Sequence, residues 1–76
     1  MTSSNRQFKD SLYEQLARIG KALASPIRLE LLDVLSQGPR TVESIANEVN
    51  QSVANTSQHL QILRSARVIE SERNGV

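Results

Sequence analysis

The chain has 76 residues, enough for one small domain, and is 38% apolar, 22% charged and 3% aromatic. It has no cysteine, which excludes a disulfide framework and every thiolate metal site and is compatible with a reducing cytoplasm. Its net charge of +1 points neither toward nucleic acid nor away from it; no apolar run approaches the ~18 residues that cross a bilayer, and the polar start from Met1 to Lys9 lacks the apolar stretch of a signal peptide.

Apolar residues recur at helical spacing along most of the chain. Phe8, Leu12, Leu16, Ile19 and Leu23 step by four, four, three and four, which predicts one face of a first helix, capped by Ser3, Ser4 or Asn5. Gly20 falls inside this pattern and predicts a bend or early fraying. Ser25-Pro26 starts a second helix, with serine as N-cap and proline at a first position where no hydrogen bond is lost. Ile27, Leu31, Val34 and Leu35 form its inward stripe, broadened by Leu32, and Gly38-Pro39 stops it. Thr41 caps a short third helix with Val42, Ile45, Ala46 and Val49 inward. Asn50 follows, the non-glycine residue most tolerant of positive φ. Ser52 caps a fourth helix, to about Ser65, with Thr56, Leu60 and Leu63 inward. From Val68 to Arg73 the apolar period drops from about 3.6 to about 2, the signature of a strand. Asn74-Gly75 then signals a hairpin turn. The sequence ends at Val76, and a turn without its return strand reads as a truncated chain.

The third and fourth helices, joined by about three or four residues, fit a helix-turn-helix. Ala46 supplies the small side chain where the two axes approach, Asn50 the left-handed turn residue, and Thr56 with Leu60 the inward contacts of the second helix. Thr56 fits less well than a larger aliphatic. This packing turns Ala54, Asn55, Ser57, Gln58 and Gln61 outward, with Val53 near the edge. No residue from Val49 to Ile69 is a carboxylate. An amide-rich, carboxylate-free helix suits the major groove, because phosphates repel Asp and Glu while amides read base edges. Asn55 and Gln58 can each contact adenine through two hydrogen bonds, and Val53 or Ala54 can meet a thymine methyl. Ser52, Thr41 and the free N–H groups at the helix starts can hold phosphates, and Arg64, Arg67 and Arg73 are candidate backbone contacts. Plainer readings stand beside these. Asn55, Gln58 and the arginines are also ordinary solvated groups, and Val53 a peripheral core residue. The lone His59, between the inward and outward faces, suits packing or phosphate bonding better than metal ligation.

Two segments resemble the ArsR-type (arsenic-repressor-like) winged-helix transcriptional regulators. KALASPIRLELLDVLSQGP, Lys21 to Pro39, is similar to that family's K-A-L-A-x-P-x-R-L-x-I-L-x-x-L segment. SVANTSQHLQILRSARVI, Ser52 to Ile69, is similar to its S-x-x-x-V-S-x-H-L-x-x-L-x-x-A-G-L-V recognition-helix segment. The resemblance runs from Leu16 through Gly75. It implies that the fourth helix is the recognition helix, with Val53, Ala54, Asn55, Ser57, Gln58 and His59 facing DNA, and that Arg73, Asn74 and Gly75 lie at the wing. Many metal-sensing members carry C-x-C where this chain has Thr41 and Glu43, and the other common metal site uses a C-terminal helix absent here, so no metal or other cofactor is expected. Arg67 replaces the glycine that usually ends the recognition helix; in a left-handed backbone it costs ~1 kcal/mol. Gln51 replaces a usual aliphatic, which predicts a looser turn.

The expectation is a mainly α fold: one winged helix-turn-helix domain over residues 1–76, four helices followed by an incomplete β-hairpin wing, without the return strand and last helix. Its expected role is sequence-specific binding of double-stranded DNA as a cytoplasmic homodimeric regulator, a repressor. The dimer interface is expected at Phe8, Leu12, Leu16, Ile19 and Leu23, which exceed what so small a core covers from one side. In the family the first helix pairs with the absent C-terminal helix. The rival is a protein-interaction or dimerisation winged helix without DNA binding, recognisable by an apolar patch on the fourth helix. An enzyme has little behind it: one histidine, one tyrosine, no nucleophile–base pairing, no metal cluster and no glycine-rich phosphate loop.

Overall fold

A computed structural model describes residues 2–70, with side chains from residue 5 onward. It contains α1 (Thr2–Leu23), α2 (Pro26–Leu35), α3 (Val42–Glu48) and α4 (Val53–Ser65). The last three begin where a short hydroxyl side chain satisfies a free N–H of the first turn. Ser25 Oγ accepts from the Arg28 N–H at 3.3 Å, Thr41 Oγ1 from Ser44 at 3.1 Å and Ser52 Oγ from Asn55 at 3.0 Å. Pro26 occupies the first turn of α2, as expected.

Helices α3 and α4 end in the same way, and neither uses glycine. After α3, Asn50 takes φ 59°, its N–H donates to Asn47 O at 3.3 Å, and the Gln51 N–H donates to Ala46 O at 2.9 Å. After α4, Arg67 takes φ 62°, its N–H donates to Arg64 O at 2.9 Å, and the Val68 N–H donates to Leu63 O at 3.0 Å. This paired closure is the Schellman motif. The turn after α3 is therefore not loose, contrary to what Gln51 suggested: the backbone bond from Gln51 does not depend on its side chain. At Arg67 the backbone keeps the left-handed form although the residue has a Cβ, and so carries the strain that a glycine would relieve.

The buried core draws on every helix: Ala22 from α1, Leu31 and Val34 from α2, Ile45, Ala46 and Val49 at α3 and its end, and Leu60, Leu63 and Ala66 at α4 and its end. Ile27, Leu32, Leu35, Val42, Val68 and Ile69 pack against it, half-buried. Helix α4 lies at the centre and packs on each of the other three. Complete burial of a Leu or Ile side chain contributes about 1.5–3 kcal/mol, and Leu31, Ile45 and Leu63 are all fully enclosed. Thr56 is as deeply enclosed, at 0% exposure, and its hydroxyl has no hydrogen-bond partner among the described residues.

Three expectations are corrected. Helix α1 is already helical at Thr2, so Ser3, Ser4 and Asn5 lie within it rather than capping it. It also runs through Gly20 to Leu23 without a break, because its C-terminal half packs on α2 and α4 and that support outweighs the cost of one glycine. No strand begins at Val68, and none occurs among the described residues. The Val68 amide is used in closing α4, and Val68 and Ile69 turn onto the core. Residues 71–76, which include Arg73, Asn74 and Gly75 of the expected wing, lie outside the described residues.

Two stability measurements follow from this packing. Arg67→Gly is expected to raise unfolding free energy by about 1 kcal/mol by relieving the left-handed strain. An unchanged denaturant midpoint would show that the residue is not strained. Thr56→Val keeps the shape of the side chain and removes the orphaned hydroxyl, so it is expected to stabilise by about 1–2 kcal/mol; a loss of stability would show that the hydroxyl has a partner in solution.

Candidate nucleic-acid interface

The turn between α3 and α4 is tight, and the inward stripe of Thr56, Leu60 and Leu63 fixes the rotation of α4 about its own axis. Away from that stripe, Val53, Ala54, Ser57, Gln58, Gln61 and Ile62 are exposed, and Asn55, His59 and Arg64, nearer the stripe, are half-buried. Val53 is 46% exposed, which places it on the surface rather than in the peripheral core. Thr41 and Ser52 are exposed at the starts of α3 and α4. Thr41 and Ser52 thus stand at the starts of α3 and α4, seven further expected contact residues lie between Val53 and Gln61, and Arg64 falls in the last turn of α4.

Hydrogen bonds already commit several of these groups. The hydroxyls of Thr41 and Ser52 each accept one capping bond, which leaves the O–H of each free to donate to a phosphate oxygen. Asn55 Nδ2 donates to Gln51 Oε1, so the amide is held from the preceding turn while its carbonyl oxygen and second N–H stay available. Arg64 donates to Gln61 Oε1 at 3.3 Å, linking two expected contact residues across one helical turn. Only Ser57 and Gln58, of the polar groups on the outward face, have no side-chain hydrogen bond among the described residues.

His59 is held differently. Arg28, at the start of α2, donates from Nε to Ala22 O at 2.6 Å and from Nη2 to Lys21 O at 3.3 Å. These are carbonyls of the last turn of α1, where the helix's own ladder ends; the Lys21 carbonyl also accepts from the Ala24 N–H at 3.2 Å. The third guanidinium nitrogen, Nη1, lies 3.1 Å from His59 Nδ1. One side chain thus joins the end of α1, the start of α2 and the middle of α4.

The acids near this surface lie off α4. Glu43 is exposed in the first turn of α3, and Glu48 forms an ion pair with Arg40, which also donates to Gln37. Pairing with Arg40 offsets the repulsion that Glu48 would exert on a phosphate. Among the described residues no three His, Asp or Glu side chains stand close enough to share a metal ion, and no helix is long and apolar enough to cross a membrane.

The expected dimer residues split into two groups. Phe8, Leu12 and Leu16 are 66%, 41% and 53% exposed, an uncovered stripe on α1, whereas Ile19 and Leu23 are half-buried against the body. Two residues that hold the surface in shape were not anticipated from sequence. Gln51 reads only as a departure from an aliphatic, and its link to Asn55 depends on a side-chain rotamer. Arg28 sits 31 residues from His59, and its tie to α4 exists only once the helices pack.

Comparison with known proteins agrees with the helical fold. Residues 25–71 match the model of the bacterial regulatory proteins of the arsR family. An HTH-type transcriptional regulator of Mycobacterium tuberculosis is 45% identical over 67 residues, covering 88% of this chain and 30% of the relative. The transcriptional repressor SdpR of Bacillus subtilis is 42% identical over 55 residues, covering 72% of this chain and 61% of SdpR. The chain therefore spans between about a third and about three fifths of the length of these relatives. The solution structure of a homodimeric winged helix-turn-helix DNA-binding domain from Mycobacterium bovis superposes with a TM-score of 0.83 at 44% identity. It covers 90% of this chain and 63% of that one. The matched stretch holds α2, the α3–α4 pair and the closure of α4, more than half the chain, and on that ground the protein belongs to the arsR family of bacterial regulatory proteins.

Proposed function

We propose that the chain is a cytoplasmic, non-enzymatic regulator of transcription that binds duplex DNA as a two-fold dimer and represses. The observation that carries this reading is the outward side of α4, where amides, hydroxyls and small side chains stand clear of the core with no carboxylate among them. The rival protein-docking reading needs an apolar patch there, and the exposed apolar residues of this side, Val53, Ala54 and Ile62, stand apart among amides and hydroxyls rather than in one patch. In the groove, Asn55 and Gln58 read base edges, Val53 and Ala54 meet thymine methyls, and Ser57 and Gln61 complete the contact. Thr41, Ser52, His59 and Arg64 hold the backbone. Arg73 and Asn74 extend the footprint as a wing, completing a single winged helix-turn-helix unit. The Mycobacterium bovis neighbour is a DNA-binding domain and SdpR a repressor, which supports the same assignment.

Dimerisation in this reading uses α1. A stripe of Phe8, Leu12 and Leu16 left in water is costly, and a second copy covers it while Ile19 and Leu23 continue the seam toward the body. The Mycobacterium bovis domain is homodimeric. Two-fold pairing sets two α4 helices against half-sites about one helical turn apart, ~34–36 Å. No metal or other cofactor enters the reading.

Selection of bound duplexes from a random pool at stated salt, followed by titration of variants, tests the DNA-reading side. Asn55→Ala and Gln58→Ala are each expected to lose ~1–3 kcal/mol of duplex affinity and to relax base preference at one position per half-site. Unchanged binding by both would refute the assigned side of α4. Leu16→Glu is expected to shift the sedimentation equilibrium to monomer with the helical signal intact and to weaken duplex binding; a dimer that survives it would place the interface elsewhere.

A further inference from the structure

The guanidinium group of Arg28 contains only donors, so the 3.1 Å contact between its Nη1 and His59 Nδ1 has one chemical solution. Nδ1 must present its lone pair, and the ring proton must then sit on Nε2. We infer that Arg28 is a positioning residue for DNA binding: it holds His59 as the Nε2–H tautomer and so sets the ring to donate to a backbone phosphate. This rests on the DNA-binding reading of α4 given above.

The geometry supports the assignment at both ends. Arg28 is itself fixed, because its Nε and Nη2 are engaged by Ala22 O at 2.6 Å and Lys21 O at 3.3 Å, and the planar guanidinium then leaves Nη1 little freedom. Its side chain is half-buried, and the bond to Ala22 O and the contact with His59 are part-buried, whereas the bond to Lys21 O is open to water. Nε2 lies across the ring from Nδ1. Among the described residues it has no protein partner, and it is not among the enclosed orphan atoms, so solvent reaches it. His59 follows Gln58 on the exposed side of α4, one turn from Asn55. An N–H fixed there is a ready donor to an anionic oxygen. A free imidazole would first have to choose tautomer and rotamer at an entropic cost.

The chain contains a single histidine, so its ring nitrogens are observed without assignment ambiguity. Nitrogen-15 NMR of the ring is expected to show only the Nε2–H tautomer. Arg28→Met keeps the apolar stem, removes the donors, and is expected to release part of the ring into the Nδ1–H form. The same substitution is expected to weaken duplex binding about five-fold to ten-fold, the scale of one lost hydrogen bond, and to have no further effect once His59→Ala is in place. Arg28→Lys, which keeps a single donor nitrogen, is expected to recover part of the tautomer bias. An Nδ1–H ring in the unaltered chain overturns the proposal, even if Arg28→Met does not fold. So do Arg28→Met and His59→Ala losses that simply add. Absence of duplex binding by the unaltered chain refutes the regulator reading together with this proposal. Normal binding by a chain whose ring is Nδ1–H refutes this proposal alone.

Discussion

The structure depends on how α4 is rotated about its axis. Thr56, Leu60 and Leu63 are all buried, and the helix they belong to packs on each of the other three. A helix enclosed on one stripe and open on the other has little rotational freedom, because turning it by one residue exposes leucine and buries an amide without a partner. The polar outward side is therefore a consequence of the core rather than a separate feature. This also explains why Thr56 is tolerated. Its methyl fills the position where the family pattern has valine, while its hydroxyl is left unpartnered among the described residues, at a cost that the two leucines following it in the stripe can offset.

The two helix closures fix the remaining geometry. Asn50 and Arg67 both take positive φ, and each makes the pair of backbone bonds that lets the chain leave its helix in a set direction. At Asn50 this sets the angle between α3 and α4, and a short polar side chain makes the left-handed form cheap. At Arg67 the same bonds send Val68 and Ile69 back onto the core. Burial of those two side chains holds an arginine in a conformation it would not choose. Local preference loses there to tertiary packing.

Much of this was legible in the sequence because it is local. The caps at Ser25, Thr41 and Ser52 act over three residues, the inward stripes over four, and the positive φ at Asn50 and at the glycine-replacing Arg67 within a single residue. The failures have the opposite character. The start of α1 was misplaced because three polar residues each suit a cap and nothing nearby chooses among them. Gly20 promised a bend or early fraying, and contacts with α2 and α4 hold the helix together through it to Leu23. Val68 fits an alternating strand pattern, but its amide goes to Leu63 O instead. At the candidate interface, the outward residues followed from periodicity, whereas the Gln51–Asn55 and Arg28–His59 links did not. Those depend on rotamers and on helices distant in sequence, neither of which a periodic pattern encodes.

The position of Arg28 joins two functions that the sequence presents as separate. Helix α1 carries the exposed stripe through which the proposed dimer forms, and its last turn ends in the carbonyls that Arg28 holds. The same guanidinium contacts the helix that carries the base-reading amides. A movement of α1 against α2 and α4 within one copy, unlike a rigid rotation of one copy against its partner, would carry those carbonyls with it and change the Nη1–Nδ1 contact. Because hydrogen bonds weaken steeply with misalignment, a small rotation at the end of α1 is felt at α4 as the presence or loss of one bond. In the proposed dimer, subunit pairing and the readiness of the DNA-facing helix thus meet at a single side chain.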